Sequence, residues 1–122
     1  MKKIIGLLLV LLVLGGCSSM SEVEEYTYPE ILELIESGEG LAVDVRTLEE
    51  FEEGHIDGAY YLPLANIQEG DFGELNDKSA LLFVYCRSGN RSATAYSLLI
   101  KEGYTNVYDI GGIIDWPYEV VQ

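Results

Sequence analysis

Ala80-Leu81-Leu82-Phe83-Val84-Tyr85-Cys86-Arg87-Ser88-Gly89-Asn90-Arg91-Ser92 is the stretch from which the fold of this 122-residue chain is read. Its first six residues are apolar and rich in β-formers, the pattern of a strand covered on both faces. From Cys86 onward glycine, asparagine and serine break that pattern into a short loop. Ala93-Thr94-Ala95-Tyr96-Ser97-Leu98-Leu99-Ile100-Lys101 then reads as a helix, expected from about Ser92 to Glu102, with Gly103 as its stop. A cysteine is thus set at a strand end, just ahead of a helix N-terminus, where outward-pointing N–H groups stabilise a thiolate or an anion. Successive N–H groups of such a loop can aim inward. Gly89 permits a sharp turn or a positive φ, Asn90 tolerates left-handed geometry, and Ser92 can cap the helix. Arg87 and Arg91 flank the thiol, and with the helix dipole they are expected to depress its pKa. Cys86 is the candidate nucleophile. With the thiolate already formed no base is needed, and the single histidine, His55, lies in another loop where a structural role is expected.

Working outward, Thr27-Tyr28-Pro29-Glu30 has the form of a capping box with proline in the first turn. Ile31, Leu32, Leu34 and Ile35 give that helix an apolar face, and Gly38 ends it. Leu41-Ala42-Val43-Asp44-Val45 reads as a strand, buried except at Asp44. Thr47 to Glu50 is a second capping box, opening a short acidic helix through about Glu53. The pairs Glu49-Glu50 and Glu52-Glu53 read as solvated faces. A loop at Gly54-His55-Ile56-Asp57-Gly58 leads to a short strand, Ala59 to Leu62, ended by Pro63. Ile67 to Asp77 is polar and without clear period, with room for a short helix. Asn106 to Ile110 is a last strand, followed by a Gly111-Gly112 turn and a short helix containing Trp116. Strands alternating with helices, each with a short apolar core, indicate an α/β fold: a small parallel sheet with helices on both faces. Ligands of such sheets bind beyond the carboxyl ends of the strands. The Cys86 loop and Asp44-Val45-Arg46 both fall there.

The N-terminus reads differently. Met1-Lys2-Lys3 is a basic start, and Ile4 to Leu14 is an apolar run of roughly ten residues, too short for a spanning helix and suited to a signal peptide. Leu14-Gly15-Gly16-Cys17 resembles the bacterial lipoprotein signal, which implies removal of residues 1–16, lipid on Cys17 and an extracytoplasmic, membrane-anchored chain. An ordinary secretory signal or an uncleaved anchor is the plainer alternative. Residues 17–25 read as a tether, flexible at its serines and acidic from Glu22, and residues 26–122 as one domain. The chain has 7 Lys+Arg against 21 Asp+Glu, a formal charge of −14. Loss of Lys2 and Lys3 would take this to −16 and leave Arg87 and Arg91 as two of five remaining bases. So acidic a surface repels nucleic acid and anionic headgroups, and a ligand of the loop should be a small anion. If Cys17 carries lipid, Cys86 has no partner in its own chain, which invites a reactive role. One histidine and one free cysteine make no structural zinc site, and no glycine fingerprint for a phosphate cofactor is present.

Cys86-Arg87-Ser88-Gly89-Asn90-Arg91-Ser92 resembles the active-site loop of rhodanese-like sulfurtransferases. Asp44-Val45-Arg46, Glu50-Phe51, Gly54-His55-Ile56-Asp57-Gly58-Ala59, Leu62-Pro63 and Gly111-Gly112 with Trp116 follow the family's pattern in order, over about Tyr26 to Tyr118. The resemblance implies that Cys86 takes sulfur from a small anionic donor such as thiosulfate or polysulfide, becomes a persulfide, and passes the sulfur to cyanide or a thiol, with a protein as a further possible acceptor. Backbone N–H groups from Arg87 through Ser92 would cradle the persulfide. Arg87 and Arg91 would draw in the donor, and Asp44 would help hold the loop. For Asp44 and Arg46 a direct role and simple fold maintenance stand side by side. Related phosphatases place five residues between cysteine and the phosphate-gripping arginine. Here there are four, so phosphatase or arsenate reductase activity is a minor alternative to sulfur transfer, behind a sulfane-sulfur carrier with little turnover. One departure is Tyr61, where the family often has asparagine before the Leu-Pro pair.

Overall fold

The structure, a computed structural model, describes residues 26–122. The expected leader 1–16, Cys17 and the tether 17–25 lie outside the described residues. Helix α1 (Tyr28–Ser37) begins with the capping box: Glu30 N–H donates to Thr27 Oγ1, and Thr27 N–H donates to the Glu30 carboxylate. It ends at Gly38, whose φ of +85° closes the helix in left-handed geometry. Strand β1 (Gly40–Asp44), helix α2 (Leu48–Glu53), the two-residue strand β2 (Tyr60–Tyr61) and helix α3 (Leu64–Gln68) follow, then β3 (Leu81–Cys86), α4 (Asn90–Glu102), β4 (Val107–Gly112) and a 3₁₀ turn at Ile113–Asp115. The four strands form one parallel sheet in the order β2-β1-β3-β4. Among the described residues no helix is long and apolar enough to cross a membrane.

The alternation of β3 builds two cores. Leu82, Val84 and Cys86 face Ile67, Ala95 and Leu99 of α3 and α4. Phe83 and Tyr85 face Ile31, Ile56 and Trp116 on the other side. Leu82, Phe83 and Val84 have no exposed surface, worth roughly 1.5–3 kcal/mol per side chain. Period-two alternation therefore places Cys86 on the α4 side, at the carboxyl end of a central strand.

Several expectations need correction. Asp44, read as the exposed position of its strand, is fully buried because Arg46 supplies its counter-charge. The helix after the loop starts at Asn90, not Ser92, since Gly89 takes φ +107° at the N-cap. Ser92 is accordingly not a cap. The expected Ala59–Leu62 strand is reduced to Tyr60–Tyr61, and the short helix begins directly after Pro63, reaching only Ile67 and Gln68 of the polar stretch. Gly111-Gly112 is not a turn but the end of β4, reached through a bulge: Val84 pairs with Asp109 and Tyr85 with Gly111. A Cβ on Gly112 would stand 2.3 Å from Arg87 O and 2.6 Å from Ser88 Cα, so glycine is required there for close approach of two backbones. Trp116 follows the 3₁₀ turn instead of lying within it.

Candidate active site

β3 ends at Cys86 and α4 begins at Asn90, so the chain reverses through Arg87, Ser88 and Gly89. The positive φ of Gly89 turns its own N–H back onto the thiol, 3.0 Å from Sγ. Ser92, fully buried in the first turn of α4, holds its Oγ 3.6 Å from Sγ and donates to Gly89 O at 3.1 Å, with Gly111 O at 3.4 Å. Its hydroxyl ties the loop to the end of β4. Burial works to raise the Cys86 pKa, but it is outweighed by the Ser92 hydroxyl and by the N–H groups of Ser92, Gly89 and Ser88, and the thiol lies below its ordinary value. The direction is the one expected from the sequence; the leading cause is not. Hydrogen bonds depress the thiol, whereas the attraction between Cys86 and Arg91 is secondary to the pairing of Arg91 with Glu50.

That pairing revises the role expected for Arg91. Its Nη1 and Nη2 donate to Glu50 Oε1 and Oε2 at 2.7 and 3.0 Å, a bidentate clamp between α4 and α2. Glu50 was read as part of a solvated face. It is instead shared between the Thr47 capping box and Arg91, and the Arg91 hydrogen bonds, with help from Thr47, bring its carboxyl down to about 2. A sequence signal existed, since a capping glutamate in an acidic helix and a loop arginine are natural partners. Their separation of 41 positions hid the contact. Arg87 is exposed and makes no ion pair among the described residues. Asn90 is also exposed, at the first position of α4.

Asp44 and Arg46 form a buried pair at the end of β1, beside Tyr85 of β3. The Asp44 carboxylate accepts from Arg46 N–H at 2.9 Å, from Nε at 3.0 Å and from Nη2 at 2.7 Å. Arg46 Nη2 also donates to Gly54 O at 2.7 Å, and its guanidinium lies over the Tyr85 ring, 5.7 Å from the centroid. Despite its own burial, Arg46 is held above its ordinary pKa by Asp44. With its oxygens engaged by Arg46, Asp44 braces the turn after β1 against the residue preceding Cys86. Tyr85, which sequence reasoning passed over, completes this brace: its hydroxyl accepts from Ile56 N–H at 3.1 Å. His55 stays apart from the thiol. Its ring stacks on Phe51 at 3.7 Å, Nδ1 donates to Phe51 O at 2.8 Å, and its backbone pairs with Val121. Tyr61 packs against Phe51 at 5.1 Å on the α2 side of the site.

A parallel α/β sheet carrying, in a strand-to-helix loop, a hydrogen-bonded cysteine whose pKa is lowered defines a class of domain that works through a nucleophilic thiolate. Comparison with known proteins narrows the class. The Rhodanese family profile, described as Rhodanese-like domain, matches residues 27–117. Thiosulfate sulfurtransferase PspE of Escherichia coli is 36% identical over 73 residues, covering 60% of this chain and 70% of that protein. The putative sulfur carrier protein YrkF of Bacillus subtilis is 32% identical over 98 residues, covering 79% of this chain but 52% of that protein. The chain spans only 20% of a probable molybdopterin-synthase adenylyltransferase of Porphyra purpurea, at 34% identity. A solved rhodanese with anions from E. coli superposes with a TM-score of 0.62 at 32% identity, covering 68% of this chain and 98% of that one. This chain belongs to the rhodanese-like domain family, whose members include thiosulfate sulfurtransferases and sulfur carriers.

Proposed function

We propose that this chain is a sulfurtransferase of thiosulfate type, held outside the cytoplasm by lipid on Cys17. The observation that carries the chemistry is the cradle around Cys86 Sγ: the N–H groups of Ser88, Gly89 and Ser92 gather on one sulfur, whose thiol donates to Ser92 Oγ. Donors fixed in place before reaction stabilise an anion without reorganising. The Cys86 thiolate attacks the outer sulfur of thiosulfate. A new S–S bond forms at Sγ, the donor's own S–S bond breaks, and sulfite leaves with its electron pair. The resulting persulfide carries one negative charge on its outer sulfur, which the N–H groups from Arg87 through Ser92 hold. Cyanide or an acceptor thiolate then attacks that sulfur, leaving as thiocyanate or persulfide and restoring the Cys86 thiolate. Arg87 attracts the donor, Arg91 positions the loop through Glu50, and Asp44 with Arg46 supports it from the end of β1. The anchor rests on the order of basic start, apolar run and Leu14-Gly15-Gly16-Cys17.

A second reading is a sulfane-sulfur carrier with little turnover, which the small single domain and the similarity to a putative sulfur carrier protein support. One experiment separates the two. The purified chain is treated with thiosulfate, weighed intact, then given cyanide while thiocyanate is followed. A gain of one sulfur with steady thiocyanate, both lost in Cys86→Ser, supports the enzyme. A gain without turnover supports the carrier, and no uptake from thiosulfate or polysulfide refutes both. Labelling with a fatty acid, lost in Cys17→Ser, tests the anchor.

A further inference from the structure

Leu48 and Ile114 are the most exposed large hydrophobic side chains among the described residues, at 51% and 62%. They occupy different segments, but the sheet order brings both to the Cys86 loop. Leu48 opens α2, the helix whose Glu50 grips Arg91. Ile114 lies in the 3₁₀ turn after β4, and its N–H donates to Arg87 O at 3.3 Å. β3 stands between β1 and β4, so α2 and the 3₁₀ turn bracket the thiol loop from either side.

The charge of these segments is one-sided. Glu49, Glu52 and Glu53 on α2 and Asp115 in the 3₁₀ turn are exposed carboxylates. Against them stands Arg87 alone, since Arg46 is paired with Asp44 and Arg91 with Glu50. Two apolar points framed by uncompensated carboxylates complement a basic surface with an apolar centre. We infer that the acceptor of sulfur from Cys86 is a cysteine on a protein whose docking face is apolar at its centre and basic around it, seated on Leu48 and Ile114. This deepens the sulfur-transfer reading and rests on it. The acceptor cysteine loses its proton to solvent and its thiolate attacks the outer sulfur of the Cys86 persulfide. An S–S bond forms on the acceptor as the bond to Sγ breaks, and Cys86 leaves as thiolate.

Two fluorescein-labelled peptides serve as probes, Lys-Leu-Lys-Cys-Leu-Lys and its counterpart with glutamate in place of lysine. Binding is read by anisotropy with unloaded protein, and sulfur transfer by peptide mass after thiosulfate loading. At low salt the basic peptide binds and accepts sulfur roughly tenfold or more better than the acidic one, and the lead shrinks in about 0.5 M salt. Leu48→Ser with Ile114→Ser lowers both readouts several-fold and leaves sulfur uptake from thiosulfate unchanged. Glu52→Lys with Asp115→Lys also lowers peptide binding several-fold. Glu36→Lys with Glu39→Lys, the same change of charge at the opposite, amino end of β1, does little. Equal effects of the two charge pairs, or no effect of the Leu48 and Ile114 changes, overturn the docking surface. Loss of sulfur uptake in the unaltered protein would instead strike the transfer chemistry, because the anisotropy readout needs no sulfur.

Discussion

Glu50→Gln removes the charge that clamps Arg91 while keeping the side chain's shape. Glu50 Oε1 accepts from Thr47 N–H, Thr47 Oγ1 and Arg91 Nη1 at 3.0, 3.0 and 2.7 Å, and Oε2 accepts from Arg91 Nη2 at 3.0 Å. Glutamine can preserve the helix cap with its carbonyl oxygen, but its amide then meets Arg91 donor to donor. The fall of the carboxyl from its ordinary 4.5 to about 2, at about 1.36 kcal/mol per pH unit, caps the contribution near ~3.4 kcal/mol. The side chains keep 24% and 35% of their surface in solvent, and screening brings the expected loss to about 1–2 kcal/mol. The sign follows from the direction of the shift. A carboxyl lowered by folding stabilises fully above its unfolded value near 4.5, and that stability drains away as pH falls towards about 2. Urea unfolding of protein and variant across this range gives the difference directly, with equal m-values. The gap is expected to be constant from neutral pH to about 5, to close by about pH 2, and to narrow in salt. A gap below about 0.3 kcal/mol at neutral pH, or one unchanged at pH 2, would refute the clamp as a source of stability.

Four further outcomes are expected. Ser92→Ala removes the leading hydrogen bond that depresses the Cys86 thiol, so the pH profile of alkylation by iodoacetamide should shift to higher pH. Gly112→Ala puts a Cβ against the rigid backbone of Arg87 and Ser88, and should cost roughly 1–3 kcal/mol and abolish sulfur uptake, as measured by urea unfolding and intact mass. Gly58→Ala, at φ +83° with open space around it, should cost only about 1 kcal/mol and leave uptake intact. Asp44→Asn strands Arg46 in the interior, and thermal or urea unfolding should report a loss of about 3–5 kcal/mol.

What could be read from the sequence was whatever repeats locally. Thr27 with Glu30 and Thr47 with Glu50 announce helix starts because both partners of a capping box lie within four residues. The run from Leu81 to Tyr85 announces a central strand by composition, and the break at Cys86 places the thiol at its end. What escaped depends on strand order. β2-β1-β3-β4 sets the helix after β1 beside the helix after β3, and only then do Glu50 and Arg91 meet. Asp44 looked like a polar interruption because its partner sits two residues on, curled back over it rather than across the sheet. Gly111 and Gly112 looked like a turn because glycine marks turns and tight backbone approach alike. The contact of Gly112 with Arg87, 25 positions away, decides between them.

The way charge is arranged around Cys86 bears on which chemistry the site suits. Arg46 and Arg91 are engaged by Asp44 and Glu50, so two of the three nearby guanidinium groups hold the scaffold together instead of facing a ligand. The anion at the centre is left to neutral donors, the N–H groups and one hydroxyl. Such a cradle suits a group whose charge does not change. A thiolate and a persulfide are both monoanions, so loading and unloading a sulfur moves the charge outward by one atom without altering its size, and the same fixed donors serve both states. A phosphoryl or arsenyl group would bring further charge and would call for a guanidinium turned inward. Arg91 could supply that only by leaving Glu50, which would weaken the α2 to α4 clamp at the moment of binding. The arrangement thus favours sulfur over phosphoryl transfer through where its arginines point, and not only through a loop one residue shorter.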